Sequence, residues 1–122
     1  MSSKPALPHD HGGTVDHVLE QMPSADDFQT VSDIFKQLGD GNRIRIFWLL
    51  CHCEECVINI SAMVGMSSPA ASHHLKQLKN AKLITSRREG KEVYYHAADN
   101  AQAQLLHHMI EQMIDIACPG VR

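Results

Sequence analysis

The chain has 122 residues, which suits a single domain, and it carries a formal net charge of −3 at pH 7. No apolar run approaches the roughly 18 residues of a membrane-spanning helix, and residues 1–13 lack the apolar stretch of a secretory signal, so we expect a cytoplasmic protein with no membrane partner. Four cysteines are then expected as reduced thiols rather than as a disulfide framework: Cys51, Cys53, Cys56 and Cys118.

The charge is unevenly distributed along the chain. Ser67–Lys91 holds six basic residues against Glu89 alone, which gives +5, whereas everything outside this segment sums to −8. A concentrated basic segment in an acidic protein is typical of a nucleic-acid contact, although charge alone also fits an ordinary solvated face. The position of the segment therefore has to be judged together with the predicted elements.

The N-terminal segment is predicted to be a tail followed by a short helix. Residues 1–13 contain proline and glycine without hydrophobic periodicity, which favours a flexible tail. Apolar residues at helical spacing predict a helix over Val15–Met22, which Pro23 ends. Ser24 and Asp27 then form a capping pair for the next helix.

Four further helices follow, and the last two make a recognisable pair. The apolar stripe of Phe28–Leu38 predicts the second helix, and Ile44–Leu50 is expected as a buried third helix. Ile58–Val64 is a short helical segment, and Gly65 suits the left-handed position at its end. Ser67–Asn80 follows with a serine cap and a proline in its first turn. This arrangement is the helix-turn-helix pattern.

A β-hairpin is predicted directly after this pair. Leu83–Arg88 and Lys91–His96 flank Glu89 and Gly90, the second of these strands contains valine and two tyrosines, and the glycine tolerates the turn. A hairpin in this position is the wing of a winged helix-turn-helix.

The last helix is predicted over residues 99–116, and its apolar stripe is wider than one packing face needs. The surplus apolar surface on this helix predicts a partner subunit. We therefore expect a mainly α fold with a β-hairpin wing, a dimeric winged helix-turn-helix over residues 14–117, followed by a C-terminal tail over residues 118–122.

The second helix of the pair and the wing carry the side chains expected to contact DNA. Hydroxyl, imidazole, amide and ammonium groups suit phosphate and base-edge contacts from a helix in the major groove. The wing can reach the backbone or an adjacent minor groove. The candidate DNA contacts are Ser67, Ser68, Ser72, His73, His74, Lys76, Gln77 and Lys79 on the helix and Arg87, Arg88 and Lys91 on the wing.

A family resemblance is carried by the segment SSPAASHHLKQLKNAKLITSRREGKEVYY. It resembles the signature of the ArsR/SmtB bacterial metal-sensing repressors, which combines a Ser-His-His-Leu recognition helix, an Arg-x-Gly-Lys wing tip and a Tyr-Tyr strand. Two further segments, LGDGNRIRIFWLL and EECVINISAMVGMS, resemble the family's second and third helices, so the resemblance extends over about residues 26–116. It implies a homodimeric transcriptional repressor that binds a palindromic operator in double-stranded DNA and leaves it when metal binds.

The segment Cys51–Cys56 offers the first candidate effector site. Its Cys-x-Cys-x2-Cys spacing can converge on one thiophilic ion: three thiolates suit Cd(II), Pb(II) or trigonal arsenite, whereas an added histidine or fourth ligand suits Zn(II). Relatives with thiolate sites carry cysteines at the start of the helix before the turn. Cys56 matches the first of those positions, but Ile58 and Ser61 stand at the next two.

The N-terminal tail supplies further candidate ligands for the same site. Some relatives donate tail residues across the dimer to their cysteines, and His9 and His11 are the matching candidates here. The primary metal ligands proposed from the sequence are therefore Cys51, Cys53, Cys56, His9 and His11.

A second family site lies on the last helix, where this chain has Ala101 and Gln112 in place of two imidazoles. His107 with Glu111, and His108 with Gln112, are spaced four residues apart on one helix face and offer an alternative nitrogen and oxygen site. The secondary metal candidates are Asp99, His107, His108, Glu111 and Asp115.

Two other functional classes are alternatives to a metal-responsive repressor. A redox- or persulfide-sensing repressor of the same fold would join cysteines in a reversible bridge, but the tight cysteine cluster favours a metal. An enzyme is not expected, because the chain has no phosphate loop, no Gly-x-Ser-x-Gly and no His-Glu-x2-His motif.

Overall fold

The computed structural model describes residues 5–120, so the outermost parts of both predicted tails, residues 1–4 and 121–122, lie outside the described residues. The chain divides into two units with the boundary between Ser32 and Asp33. No helix in the described range is long and apolar enough to cross a membrane. The elements are α1 (Thr14–Gln21), α2 (Ala25–Gln37), α3 (Gly41–His52), β1 (Glu55–Cys56), α4 (Val57–Val64), α5 (Ser68–Asn80), β2 (Ile84–Glu89), β3 (Glu92–Ala97) and α6 (Ala101–Ala117).

The N-terminal unit follows its local sequence signals. Residues 5–13 precede α1 without a helix or strand. The predicted capping pair is present at the start of α2: the Asp27 amide donates to Ser24 Oγ at 3.1 Å, and the Ser24 amide donates to Asp27 Oδ2 at 3.4 Å. Each side chain thus satisfies one backbone donor that the first helical turn leaves unpaired.

The second unit has a core between α3, α4, α5, the strands and α6. The Asp40 side chain caps α3 by accepting from the amides of Asn42 and Arg43, and the helix then turns Ile46 and Phe47 fully inward. Each such side chain removed from water stabilises the fold by about 1.5–3 kcal/mol. The fully buried core residues are Ile46, Phe47, Ile60, Leu75, Leu78, Leu83 and Ile84.

The predicted helix-turn-helix is confirmed by its local geometry. Gly65 ends α4 in the left-handed region at φ +69°, where a side chain would be strained. Two residues later, the Ser67 side chain accepts from the amide of Ala70 and caps α5, and Pro69 lies in the first turn. We call α5 the recognition helix.

The predicted hairpin is present, with its turn one residue later than expected. β2 continues to Glu89 and β3 begins at Glu92, so the turn is formed by Gly90, at φ +62°, and Lys91. We call this hairpin the wing. The sequence analysis missed β1, which pairs antiparallel with β3 and gives a sheet of order β1-β3-β2.

Several apolar side chains are left at the surface of a single chain. The surplus predicted on the last helix is present: α6 buries Leu106 but leaves Leu105 58% and Met113 59% exposed. The stripe of α2 is also exposed, including Phe28 and Phe35, each at 51%. Large exposed apolar faces of this kind are typical of an interface with another subunit.

Candidate DNA interface and metal-ligand clusters

The recognition helix separates a buried face from an exposed polar face. Ala71, Leu75 and Leu78 are buried at helical spacing and fix the helix on the core. The opposite face is exposed, and its side chains include Ser72, His73, Lys76 and Lys79, of which Lys79 Nζ donates to Ser86 Oγ on β2 at 2.7 Å. Gln77 is half-buried.

Other predicted DNA contacts on this helix are already engaged with the protein. Ser67 is the helix cap, and Ser68 Oγ lies 3.3 Å from Ser61 Oγ on α4. His74 Nδ1 accepts a hydrogen bond from Arg43 Nε at 3.3 Å. Burial lowers the pKa of His74, and the positive charge of Arg43 acts in the same direction. These groups position the recognition helix against α4 and α3.

The wing presents a guanidinium that is held by two carboxylates. Arg87 Nη2 lies 2.6 Å from Glu54 Oε1, its Nε lies 2.9 Å from Glu54 Oε2, and its Nη1 donates to Glu89. The Arg87 guanidinium also lies over the Tyr94 ring. Hydrogen bonding to Arg87 lowers the pKa of Glu54. Arg87, Arg88 and Lys91 are all exposed, but Arg87 already uses donors on Nε, Nη1 and Nη2 for these carboxylates, whereas Arg88 Nε donates to Gly90 O at 3.4 Å.

The three clustered cysteines face different neighbours. Burial raises the pKa of Cys51 to about 11, and the charge of Glu111 on α6 adds to the effect. Burial also raises the pKa of Cys53, in this case with Glu55 as the contributing charge. Cys56 is buried at the junction of β1 and α4. Within the described part of a single chain, these thiols do not form a group of three donors lying within 4.8 Å of one another.

Glu55 is a feature of this segment that the sequence analysis did not single out. Its Oε2 atom is buried and has no hydrogen-bond partner among residues 5–120. Glu55 lines a surface hollow together with Cys53, Asn59 and Met63. A buried carboxylate oxygen without a donor is costly, and a cation would stabilise it. The residues present therefore fit a cation beside Cys53.

The predicted tail ligands lie in the N-terminal unit. The rings of His9 and His11 stack with centroids 5.7 Å apart, and both line a hollow with Asp10 and Val15. Two imidazoles and a carboxylate are thus close in sequence and share one surface.

A different set of donors is brought together between α3 and α6. His107 Nε2 lies 3.4 Å and His52 Nε2 3.5 Å from Glu111 Oε1, and the two Nε2 atoms are 3.3 Å apart. We call these three residues the histidine cluster. It contains two of the secondary metal candidates and adds His52, which the sequence analysis missed. The secondary candidates outside the cluster are Asp99, His108 and Asp115.

The only tryptophan of the chain supports this cluster. Trp48 Nε1 donates to Glu111 Oε1 at 2.7 Å. Its ring also lies against that of His52, with centroids 4.2 Å apart. These two contacts fix the position of the Glu111 carboxylate on α6 relative to the His52 imidazole on α3.

Together, the helix-turn-helix, the adjoining wing and the basic outer surface define a winged helix-turn-helix DNA-binding regulator. The family model described as bacterial regulatory protein, arsR family, matches residues 40–86. The chain belongs to the ArsR/SmtB family of transcriptional regulators, as the sequence resemblance predicted. Members of this family act by binding DNA and are not enzymes, which confirms the prediction made from the absent catalytic motifs.

Two curated relatives and one solved structure show the extent of the similarity. The chain is 32% identical over 103 residues to a transcriptional repressor SmtB homolog of Synechocystis sp., covering 84% of this chain and 78% of the relative. It is 35% identical to a cadmium resistance transcriptional regulatory protein CadC homolog of Staphylococcus aureus, covering 74% and 75%. A homodimeric winged helix-turn-helix DNA-binding domain from Mycobacterium bovis, solved in solution, is 30% identical to this chain with a TM-score of 0.67. The similarity covers 77% of this chain and 91% of the Mycobacterium bovis chain.

Proposed function

We propose that this protein is a homodimeric transcriptional repressor that binds a palindromic operator in double-stranded DNA and is released when a thiophilic metal ion binds. The observation that carries the proposal is the position of the cysteine segment between α3 and the helix-turn-helix, in a family whose members include a cadmium resistance regulator and an arsenic resistance regulator of Pseudomonas putida. Cd(II), Pb(II), Zn(II) and arsenite are the proposed effectors.

The DNA contact is proposed to involve both the recognition helix and the wing. The exposed face of α5 supplies Ser72, His73, Lys76 and Lys79 to the major groove, and Arg88 and Lys91 reach the flanking backbone. Ser67, Ser68 and His74 contribute by holding the helix in place, and the first two can also meet phosphate at its N-terminus.

The dimer is proposed to bury the exposed apolar faces of α6 and α2. A two-fold axis relating two copies matches a palindromic operator, because it places two recognition helices in successive major grooves about 34 Å apart. A small rotation of each helix-turn-helix changes this spacing and weakens binding to DNA.

The effector ion is proposed to bind at the cysteine segment. Cys53 and Glu55, whose Oε2 atom has no hydrogen-bond partner among the described residues, are the proposed first two ligands, and Cys51, Cys56 and the tail residues His9 and His11 are the candidates for the rest. Thiolates attract the soft ions named above, and a carboxylate or imidazole completes the set for Zn(II).

Release of DNA requires the ion to prefer the DNA-free conformation. The cysteine segment contains Glu54, which holds Arg87 of the wing, so an ion that binds this segment only in its DNA-free conformation also holds Glu54 in the position where it pairs with Arg87. Only such a difference in affinity shifts the equilibrium. By reciprocity, operator DNA must weaken metal binding by the same factor, typically about 5–150-fold.

The test is a pair of competition titrations on the full-length, reduced protein. Fluorescence anisotropy measures operator affinity with and without each ion, and the thiolate-to-Cd(II) absorption band measures metal affinity with and without operator. We expect both affinities to fall by the same factor and the band to weaken in Cys53→Ser, with Cys118→Ser as the matched control.

Two outcomes would contradict the proposal. Equal metal affinity with and without saturating operator would exclude metal-driven release through this site. Loss of operator binding on adding a mild oxidant, with no effect of any ion, would instead support a thiol-based redox sensor.

A further inference from the structure

We propose that the histidine cluster is a second metal site, distinct from the cysteine segment, which binds a tetrahedral divalent cation through His52 Nε2, His107 Nε2 and Glu111 Oε1. The inference concerns metal binding in the absence of DNA, so it does not rest on the repressor function. The proposed ligands contain no sulfur and suit an ion of the zinc class.

The spacing of the three donor atoms matches a tetrahedral ion. Their separations are 3.3 Å between the two imidazole nitrogens and 3.4 and 3.5 Å from each nitrogen to the carboxylate oxygen. An ion with four ligands at 2.0–2.1 Å has ligand–ligand distances of about 3.3–3.4 Å. Adjacent ligands of an octahedral ion at the same bond length lie only about 2.8–3.0 Å apart. The triangle therefore favours Zn(II) or Co(II) over Mg(II).

The two elements that form the cluster hold the donors in this arrangement. His107 and Glu111 lie one turn apart on the same face of α6. His52 is the last residue of α3, and its ring meets that of His107 edge-on, at an interplanar angle of 85°. The two Nε2 atoms and Glu111 Oε1 thus lie within 3.5 Å of one another. A cation placed among them uses all three.

The residues around the histidine cluster orient its ligands and leave it open to solvent. Glu111 Oε1 already accepts from Trp48 Nε1, and outer hydrogen bonds of this kind orient a ligating carboxylate. The side chains of His52, His107 and Glu111 remain 44%, 31% and 28% exposed. An ion can therefore enter from solvent, and water can occupy the fourth position.

The chemistry of the donors distinguishes this site from the thiolate site. Two imidazoles and one carboxylate suit Zn(II), Co(II) and related first-row ions, whereas Cd(II) and Pb(II) are attracted to thiolates. The chain thus has two proposed ligand sets of different softness, and His52 places one ligand of the second set beside the cysteines.

The test uses Trp48, the only tryptophan, as the reporter. Its ring lies against His52, so a paramagnetic ion bound at the cluster quenches its fluorescence. Full-length reduced protein is titrated with Co(II) without DNA, and we expect saturable quenching at one ion per chain that Zn(II) reverses. Since loss of an outer partner already costs about 10–100-fold in metal affinity, His107→Ala and Glu111→Gln should raise the Kd for Co(II) by at least about 100-fold.

Matched variants make the result decisive. His108→Ala removes an exposed imidazole beside the cluster and should leave the Kd unchanged, and the double variant Cys53→Ser/Cys56→Ser should keep the quenching. Circular dichroism confirms that each variant is folded, and Glu111→Gln keeps an acceptor for Trp48 if His107→Ala does not fold.

The inference is overturned if Glu111→Gln and His108→Ala bind Co(II) equally well. It is also overturned if quenching disappears in the double cysteine variant but survives in His107→Ala, because the ion would then lie at the thiols. Either result leaves the thiolate-based repressor intact as a proposal, so the two failures can be told apart.

Discussion

The exchange of Arg87 between Glu54 and DNA phosphate is the most informative prediction, because it links the cysteine segment to the wing. In the free protein, the guanidinium is held by Glu54 and Glu89. If Arg87 leaves both carboxylates to bind phosphate, then Arg87→Ala removes one phosphate contact per subunit. Glu54→Gln has the opposite effect, since it weakens the competing partner.

The expected size of the effect follows from counterion release. Each phosphate contact contributes about 0.9 to the slope of log K against log salt, so two lost contacts per dimer make the slope about 1.8 less steep. Between 50 and 200 mM salt, wild type should therefore lose about twelvefold more operator affinity than Arg87→Ala does. Glu54→Gln should tighten binding by about 2- to 30-fold, because the dimer has two such pairs and each exposed ion pair is weak.

The assay is operator binding by fluorescence anisotropy at four or more salt concentrations, with metal removed by chelator. Arg45→Ala is the matched control, since Arg45 is exposed on α3 and outside the predicted DNA surface. In the Arg87→Ala background, Glu54→Gln should lose most of its gain, which a double-mutant cycle measures. Identical slopes for wild type and Arg87→Ala, together with an unchanged Kd for Glu54→Gln, would refute the exchange.

Three further predictions test the fold around this surface. Ser67→Ala, which removes the cap of the recognition helix, should lower the free energy of unfolding by about 1 kcal/mol in urea titrations, whereas the exposed Ser72→Ala should not. The pKa of His74 is lowered in the folded protein, so the contribution of His74 to stability is full above about pH 6.5 and declines as the pH falls below that value. The urea midpoint of His74→Gln should therefore vary less between pH 7 and pH 5 than that of wild type. Met113→Glu, on the exposed face of α6, should convert a sedimenting species of about twice 13.6 kDa into a monomer; an unchanged dimer would place the interface elsewhere.

The helix-turn-helix was predictable because its signals are local. A glycine at the left-handed end of α4 and a serine cap at the start of α5 each act over three residues, so the sequence specifies them without tertiary information. The same holds for the capping pair of α2. Strand β1 is different: its two residues form a strand only because they pair with Tyr94 and Tyr95, nearly forty positions away. No periodicity exists over two residues, so no pattern could indicate it.

The cysteine segment shows where spacing along the chain stops being informative. Cys-x-Cys-x2-Cys predicts convergence only if the backbone turns the three thiols toward one point. Here the charge of Glu111 on α6 acts on Cys51, whereas the Cys53 thiol donates to Leu49 O at 3.5 Å. Sequence alone could not show this, because it depends on where α6 and β1 pack.

His52 was overlooked for the converse reason. Within the segment it appears as a spacer between two cysteines, and its partners, His107 and Glu111, lie more than fifty residues further along the chain. The i, i+4 spacing of His107 and Glu111 indicated two ligands of a site. The third ligand, His52, joins them only because α3 packs on α6.

The two ligand sets meet at one short connection. His52 is the last residue of α3, Cys53 and Glu55 follow within three positions, and Glu54 between them holds the wing through Arg87. An ion on either side of this connection restricts the same few backbone torsions, and these torsions set the direction in which Glu54 points. Since α4 begins immediately after β1, the orientation of the helix-turn-helix depends on them as well. A soft ion at the thiols and a harder ion at the histidine cluster would therefore act on DNA binding through one shared element rather than through separate routes.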